Sequence, residues 1–562
     1  MHATHTLHIV PDGRDVLVPA NECLHESLDL HGISLTAYCD GMGICGKCVV
    51  GIRLPDGSAP HETDEDRAHL SPAQRAQGLR LACGWRVSSD AVITIPNQSR
   101  VERLLAPVKD GGAAVVGASG AAGTRGFGIA VDIGTTTVVG SLLDLHSGRT
   151  LAVASRLNRQ QRFGADVISR IKHAIESERG LAELHGELIA TLNEIIAEIE
   201  AQSGIGGTRI AEIVLTGNSV MLHALHREDM RRMSALPFEP AFRSAHALPA
   251  RELGLALHAQ TQAYSFPIVA GFVGGDTVAC MLAEDMDTAP QCQMIVDIGT
   301  NGEVALGCRS GWITASAPAG PAFEGATISC GMRAADGAVE HVRITSAAVE
   351  LDVIGKAAPR GICGTGLIDA AAALLDCGLL DETGRLLGAD ELPVATPEWL
   401  ARRVLRHRDA LAFILFDPRT DALNGNGNSA AALYLTQRDF RELQLAKAAV
   451  ASACDLLLRR KGLGCNDLGR VNLAGAFGNF LRPAQARRIG LLPPVPLEKV
   501  RFVGNAASTG AKRALVSRAD RRRAEHIAQA AEHVELAADP EFQNCFAEHL
   551  LFPPQMAETT NA

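Results

Sequence analysis

"VDIGT" stands at residues 131–135 and returns letter for letter at 296–300, and this repeat decides the reading of most of the chain. Each copy follows apolar residues and leads into a second apolar run: "IAVDIGTTTVVGSLLDL" (129–145) and "MIVDIGTNGEVALG" (294–307). Two apolar runs broken by Gly and Thr predict a strand, a tight turn and a returning strand. Further echoes keep one order. "IVLTGNSVMLHAL" (213–225) answers "VNLAGAFGNFL" (471–481), and "FVGGDTVACML" (272–282) answers "FVGNAASTGAKRAL" (502–515). Three matched elements in one order predict two related lobes, the second enlarged by an insertion somewhere within residues 310–435.

A turn rich in Gly and Thr presents backbone N–H groups and hydroxyls to an anion, and its small side chains let a phosphate approach. The aspartate at its head repels phosphate but can hold Mg²⁺ directly or through water. Alone, such a hairpin reads equally well as a plain strand turn. Two of them facing each other would clamp a metal-bound polyphosphate between lobes.

These hairpins, the connecting segments and the "LAGAFG" loop resemble the nucleotide-binding motifs of the actin, Hsp70 and sugar-kinase (ASKHA) superfamily. The resemblance implies a first phosphate motif at 129–145, a second at 294–307, connecting motifs at 213–225 and 502–515, and an adenosine motif at 471–480. Carried over, Asp132 and Asp297 are the catalytic candidates. Gly134, Thr135 and Thr136 would contact phosphate and Mg²⁺ from one lobe, and Gly299, Thr300 and Asn301 from the other. Gly475 and Gly478 would lie against adenine or ribose. Gln444 and Lys447 share a face of the helix "QRDFRELQLAKAAVASACDLLLRR", which Thr436 and Asp439 are placed to cap, and are candidates for ribose contacts. No sugar-binding sequence accompanies the motifs.

Near the front, "YCDGMGICGKC" (38–48) packs three cysteines into ten residues, and a fourth follows in "LACGW", giving C-x5-C-x2-C-x34-C over Cys39, Cys45, Cys48 and Cys83. A disulfide scaffold, a zinc site and an iron–sulfur site compete for such a cluster. The chain opens on "MHATHTLHIV", without a basic and apolar leader, and has no run of eighteen apolar residues. A cytoplasmic, soluble protein is therefore expected, and disulfides are disfavoured there. Zinc sites favour paired C-x2-C motifs or a distant histidine pair. The spacing resembles plant-type 2Fe-2S ferredoxins with one residue added, as in the adrenodoxin and putidaredoxin branch. Gly41, Gly43 and Gly46 would let the loop turn around a cluster. The flanks suit a β-grasp domain: "THTLHIV" alternates, "PDGRD" is a turn, "VLVP" a second strand, Asn21 a cap for the helix "ECLHESLDLH", and "AVITIP" a closing strand. Cys23, on that helix, reads as a core residue, and "HETDED" (61–66) as a solvated acidic run.

The fold class expected is thus multidomain α/β: a ferredoxin-type domain over 1–100, a linker over 101–127, ASKHA lobes over 128–290 and 291–550, and a tail over 551–562. Residues 111–126 hold eleven Gly or Ala in sixteen, a tether with a root-mean-square span of roughly 20–24 Å. With 562 residues and 47% of them hydrophobic, the chain can build several cores. A net charge of −10 without a basic patch argues against nucleic acid, as does 4% aromatic content. The nineteen histidines form no metal-like pattern, and His223 and His226 read as surface or packing residues.

Together with "GPAFEGATISCGMRAADGA" (320–338), "GICGTGLIDAAAALL" (361–375) and "RELQLAK" (441–447), this order of modules looks like that of the reductive activators of corrinoid proteins. The resemblance implies a 2Fe-2S cluster, ATP and Mg²⁺ as cofactors, and a corrinoid methyl-transfer protein as partner, returned from Co(II) to Co(I). It further implies a low-potential electron donor and a homodimer. Glu324, Thr327 and Ser329 would face the partner. Two other readings are a nucleotide-sensing electron carrier without productive turnover, and an activator like those of 2-hydroxyacyl-CoA dehydratases. The ferredoxin-like front end speaks against the second.

Overall fold

The computed structural model describes residues 4–10, 13–31, 33, 35, 48–96, 126–299, 301–408, 410–421, 431–475 and 481–554. They fall into two compact bodies, one drawn from Met1–Leu105 with Gln161–Ala165, the other from Ala106–Gln160 with Asp166–Ala562. The expected linker and tether lie outside the described residues up to position 125.

In the first body β1 (Thr4–Val10), β2 (Arg14–Pro19), β3 (Val49–Arg53), β4 (Leu79–Leu81) and β5 (Ala91–Thr94) form one sheet in the order β2-β1-β5-β3-β4. β1 and β5 are parallel, and the other pairs antiparallel. Alternation along "THTLHIV" sends Leu7 and Ile9 into a core with Val16, Val18, Leu24, Leu28, Ile52 and Ile93. The helix Leu24–Leu30 begins later than expected. Asn21 does not cap it: its φ is +70°, and its N–H bonds the Val87 carbonyl at 2.7 Å. Cys23, just ahead of the helix, is buried. The acidic run also departs from expectation. Asp66 is fully buried, closes a capping box with Thr63, and accepts the Leu81 N–H at 2.7 Å.

In the second body the repeat becomes architecture. β6 (Phe127–Ile133), β7 (Thr137–Asp144), β8 (Thr150–Leu157), β9 (Ile210–Gly217), β10 (His246–Pro249) and β11 (Gln262–Ser265) make one six-stranded sheet, ordered β10-β11-β9-β6-β7-β8. Further on come β12 (Gln293–Ile298), β13 (Gly302–Cys308) and β14 (Gly311–Ala317). The sheet they begin is completed by β21 (Arg470–Ala474), β22 (Val500–Gly504) and β23 (Glu532–His533), in the order β22-β21-β12-β13-β14-β23. Five strands correspond one to one: β8-β7-β6-β9-β11 and β14-β13-β12-β21-β22. In both sets the first three are antiparallel neighbours and the last three parallel. Between them lie β15 (Ala338–Ile344), β16 (Val349–Val353) and β17 (Gly361–Ile362) in one small sheet, and β18 (Val404–His407), β19 (Ala410–Phe416) and β20 (Leu433–Thr436) in another. These fill the expected insertion, and β18 and β19 pair antiparallel.

Helices repeat the symmetry. Gly180–Ser203 covers β7 and β8, and Gln437–Lys461 covers β13 and β14. The helix Gly275–Ala283 packs on Ala506–Val516, and the second of these also lies on β6 and β9, so one apolar cluster joins Ala130 and Val214 to Ile295 and Ala474. Contact is so close that a Cβ at Gly510 would stand 2.1 Å from the Ala279 carbonyl oxygen. Among the described residues no helix is long and apolar enough to cross a membrane.

Candidate functional site

Both hairpins turn as their sequence demands. Gly134 N–H bonds the Thr137 carbonyl at 3.1 Å, and Gly299 N–H bonds that of Asn301 at 3.0 Å. A Cβ on Gly134 would lie 2.5 Å from the Thr137 oxygen, which only glycine avoids. The side chain of Asn218, N-cap of the helix Ser219–His226, donates to Thr135 Oγ1 at 2.9 Å. Arg170 Nη2, fully buried, donates to the Thr135 carbonyl at 2.6 Å. Thr136 Oγ1 donates to Glu324 Oε2 at 3.4 Å.

Asp132 and Asp297 sit at corresponding positions, one residue before the end of β6 and of β12, and share an acidic cluster. Burial lifts Asp132 to a pKa of about 6, against the hydrogen bond that Asn505 Nδ2 gives its Oδ2 at 2.8 Å. Burial, then the charge of Asp132, lifts Asp297 to about 7. Asp276, in the first turn of Gly275–Ala283, is lifted to about 7 by burial and by Asp297. Glu303, directly across the ladder from Asp297, is pushed well above the usual range by burial, then by Asp276 and Asp297. Carboxylates gathered so that each disfavours its neighbours' charge suit a cation. Among the described residues no three His, Cys, Asp or Glu side chains meet closely enough to enclose a metal ion. Gly475, at φ +89°, lies against this cluster: a Cβ there would stand 2.5 Å from Asp297 Oδ1.

The structure thus brings Asp132, Asp297 and Gly475 together, with Gly134, Thr135, Thr136, Gly299 and Asn301 on the hairpin turns. Thr300 and Gly478 lie outside the described residues. Gln444 and Lys447 are placed elsewhere, and both are almost wholly buried. Gln444 Nε2 donates to the carbonyls of Thr383 (2.9 Å) and Leu550 (2.8 Å). Lys447 Nζ bonds the Leu551 carbonyl and lies 5.0 Å from the Phe552 ring centroid, and burial lowers its pKa to about 7. Residues 551–553, read as the start of a tail, are held here: Phe552 is buried and its N–H bonds the Glu382 carbonyl at 2.8 Å. Ser329 N–H bonds Asp439 Oδ1 at 2.8 Å, within the capping box that Thr436 and Asp439 form. Thr327 is exposed.

Five contributors escaped the sequence reading: Arg170, Asn218, Asp276, Glu303 and Asn505. A signal existed for the asparagines. "TGNS" (216–219) and "VGNA" (503–506) each end a strand and open a helix with an N-cap residue.

In the first body Cys48 and Cys83 bring their Sγ atoms to 3.3 Å of each other, Cys48 buried and Cys83 partly so. Cys39 and Cys45 lie outside the described residues. Two converging thiols, neither in a disulfide, suit a soft metal centre.

A duplicated sheet with paired hairpins and an acidic cluster defines a protein of the ASKHA class, and residues 291–562 match the family described as the C-terminal, ASKHA domain of RACo. Residues 127–289 match the RACo middle region. The corrinoid activation enzyme RamQ of Eubacterium limosum is 36% identical over 429 residues, 76% of this chain and 70% of that protein. The [Co(II) methylated amine-specific corrinoid protein] reductase of Methanosarcina barkeri is 25% identical over 75% of this chain and 76% of its own. A solved reductive activator for a corrinoid, iron–sulfur protein superposes over 98% of both chains, at 30% identity and a TM-score of 0.67. The chain belongs to the family of reductive activators of corrinoid proteins.

Proposed function

We propose that this chain is an ATP-hydrolysing activator that returns a corrinoid protein from Co(II) to Co(I), drawing the electron from a 2Fe-2S cluster on Cys39, Cys45, Cys48 and Cys83. The observation that carries the nucleotide half is the pairing of Asp132 and Asp297 in one half-buried acidic cluster at the mouths of matched hairpins. Mg²⁺ would be held there by one or both aspartates, with the turn amides and the hydroxyls of Thr135 and Thr136 oriented to phosphate. The redox half is supported by the Cys48–Cys83 approach, by the sheet with its first and last strands paired at the centre, and by relatives named as corrinoid activators and reductases. Such a cluster supplies one electron at about −400 mV. Each 59 mV of deficit against cobalt shifts the equilibrium tenfold. Nucleotide-driven change in the partner's bound state can offset the gap only through differential affinity for two states.

The test mixes a cognate Co(II) corrinoid protein, a low-potential reductant and this protein with or without Mg-ATP, following Co(I) by its absorbance. Co(I) should form with Mg-ATP and fail to form with Asp132→Ala, whose cluster absorbance stays intact. Equal rates without ATP would refute the coupling.

A further inference from the structure

Away from the acidic cleft, the base of the β12–β13 hairpin carries a second pair of sulfurs. Cys292 immediately precedes β12 and Cys308 ends β13, so the register that pairs Gln293 with Gly307 sets the two cysteines opposite each other. Their Sγ atoms are 2.8 Å apart, and Cys308 Sγ is 3.2 Å from Ser310 Oγ. Directly opposed residues of an antiparallel pair have the Cα separation a disulfide needs. The site is reachable, since Cys292 is partly exposed. It is also poised. Burial raises the Cys308 thiol, but hydrogen bonds from Cys292 and Ser310 outweigh it and leave the group below its ordinary value. A thiol whose ionisation is eased, beside a second thiol, is the arrangement that exchanges with disulfides.

We infer that Cys292 and Cys308 form a reversible dithiol–disulfide couple that staples the base of the hairpin whose far end carries Asp297. The oxidant is a small disulfide such as glutathione disulfide. One sulfur of the pair displaces a glutathione thiolate and forms a mixed disulfide, and the second displaces the remaining glutathione. Two protein thiols lose two electrons and two protons, and one glutathione disulfide becomes two glutathione thiols. Strand pairing already fixes the register here, so the bond closes without moving the sheet. Its formation depends on neither the cluster nor the nucleotide.

The experiment equilibrates the full-length protein anaerobically in glutathione buffers of graded ratio, blocks free thiols by alkylation and maps the digested peptides by mass. The Cys292–Cys308 linked peptide should rise from about one tenth to about nine tenths of the pair over a roughly hundredfold change in the two-electron glutathione ratio, and dithiothreitol should reverse it. In Cys292→Ser the linked peptide should vanish, with Cys308 free or carrying glutathione. Wild-type protein that keeps both thiols reduced across the series, or carries glutathione on either without the linked peptide, overturns the assignment.

Discussion

Asp297→Asn should stabilise the metal-free protein while destroying its nucleotide site. The substitution keeps the shape of the side chain and removes one negative charge from a cluster of four carboxyl groups. Burial and Asp132 lift the Asp297 pKa from 3.8 to about 7, and each pKa unit corresponds to about 1.4 kcal/mol, so the ionised group costs about 4 kcal/mol of folding free energy. The side chain keeps some contact with water, and the new amide also needs partners, which brings the expected gain to about 2–3 kcal/mol. The sign follows from proton binding. Between about pH 4 and pH 7 the folded state holds this proton more tightly than the unfolded chain, so wild-type stability falls as pH rises through that window. The variant lacks that proton, and its advantage should be near zero at about pH 4 and complete above about pH 7. Urea titrations with a chelator present, at matched ionic strength, measure the difference. Added Mg²⁺ should raise the wild-type midpoint at about pH 8 and leave the variant unmoved. A variant less stable than wild type at about pH 8, or a difference that ignores pH, would show that Asp297 is satisfied by protein groups and is not held ready for a cation.

Purified anaerobically, the protein should carry about two irons and two sulfides, and Cys83→Ser should abolish or distort the visible absorption. Stoichiometric zinc in place of iron refutes the cluster. His226 should shape the acid limb of stability. Burial, then His246 and His223, lowers its pKa to about 3, so its folded environment favours the neutral ring. That stability is fully present above the unfolded value near pH 6.5 and is lost as pH falls toward about pH 3. His226→Gln should flatten the decline in a urea midpoint series from about pH 7 to pH 4, and an unchanged slope would assign the acid limb to other groups.

The hairpins, the connecting elements and the lobe duplication were legible because local pattern and long-range structure agree there. Alternating or continuous apolar runs around "VDIGT" fix strands whichever way the sheet closes. The capping box at Thr436 and Asp439 was legible for the same reason, since its two bonds span three residues. Glu303 and Asp276 were not. Glu303 belongs to the cluster only because a three-residue turn sets it opposite Asp297, whereas the four-residue turn of the first hairpin sets Val139 opposite Asp132. Asp276 arrives on a helix that packs between the sheets, a placement no local pattern encodes. The acidic run at 61–66 misled for the converse reason. Composition spoke for solvent, but Asp66 folds back onto two backbone amides, its own cap and the strand at Leu81.

Asn505 ties the charge of the first hairpin to the arrangement of the lobes. Its Oδ1 accepts the Ser508 N–H at 2.8 Å and so fixes the start of a helix that follows the last long strand of the second sheet. Its Nδ2 reaches Asp132 in the first sheet at 2.8 Å. The bond favours the ionised carboxylate, the form that holds a cation, and it is one of the influences that keeps the Asp132 pKa from rising further. Linkage makes this reciprocal. If the lobes part, Asp132 loses this amide but also the burial that outweighs it, and its pKa falls back toward the ordinary carboxylate value. A cation bound at Asp132 keeps the carboxylate ionised and, through the same hydrogen bond, favours the lobes together. The N-cap of the helix that follows β22 and the carboxylate near the end of β6 are therefore joined through one oxygen, Asp132 Oδ2.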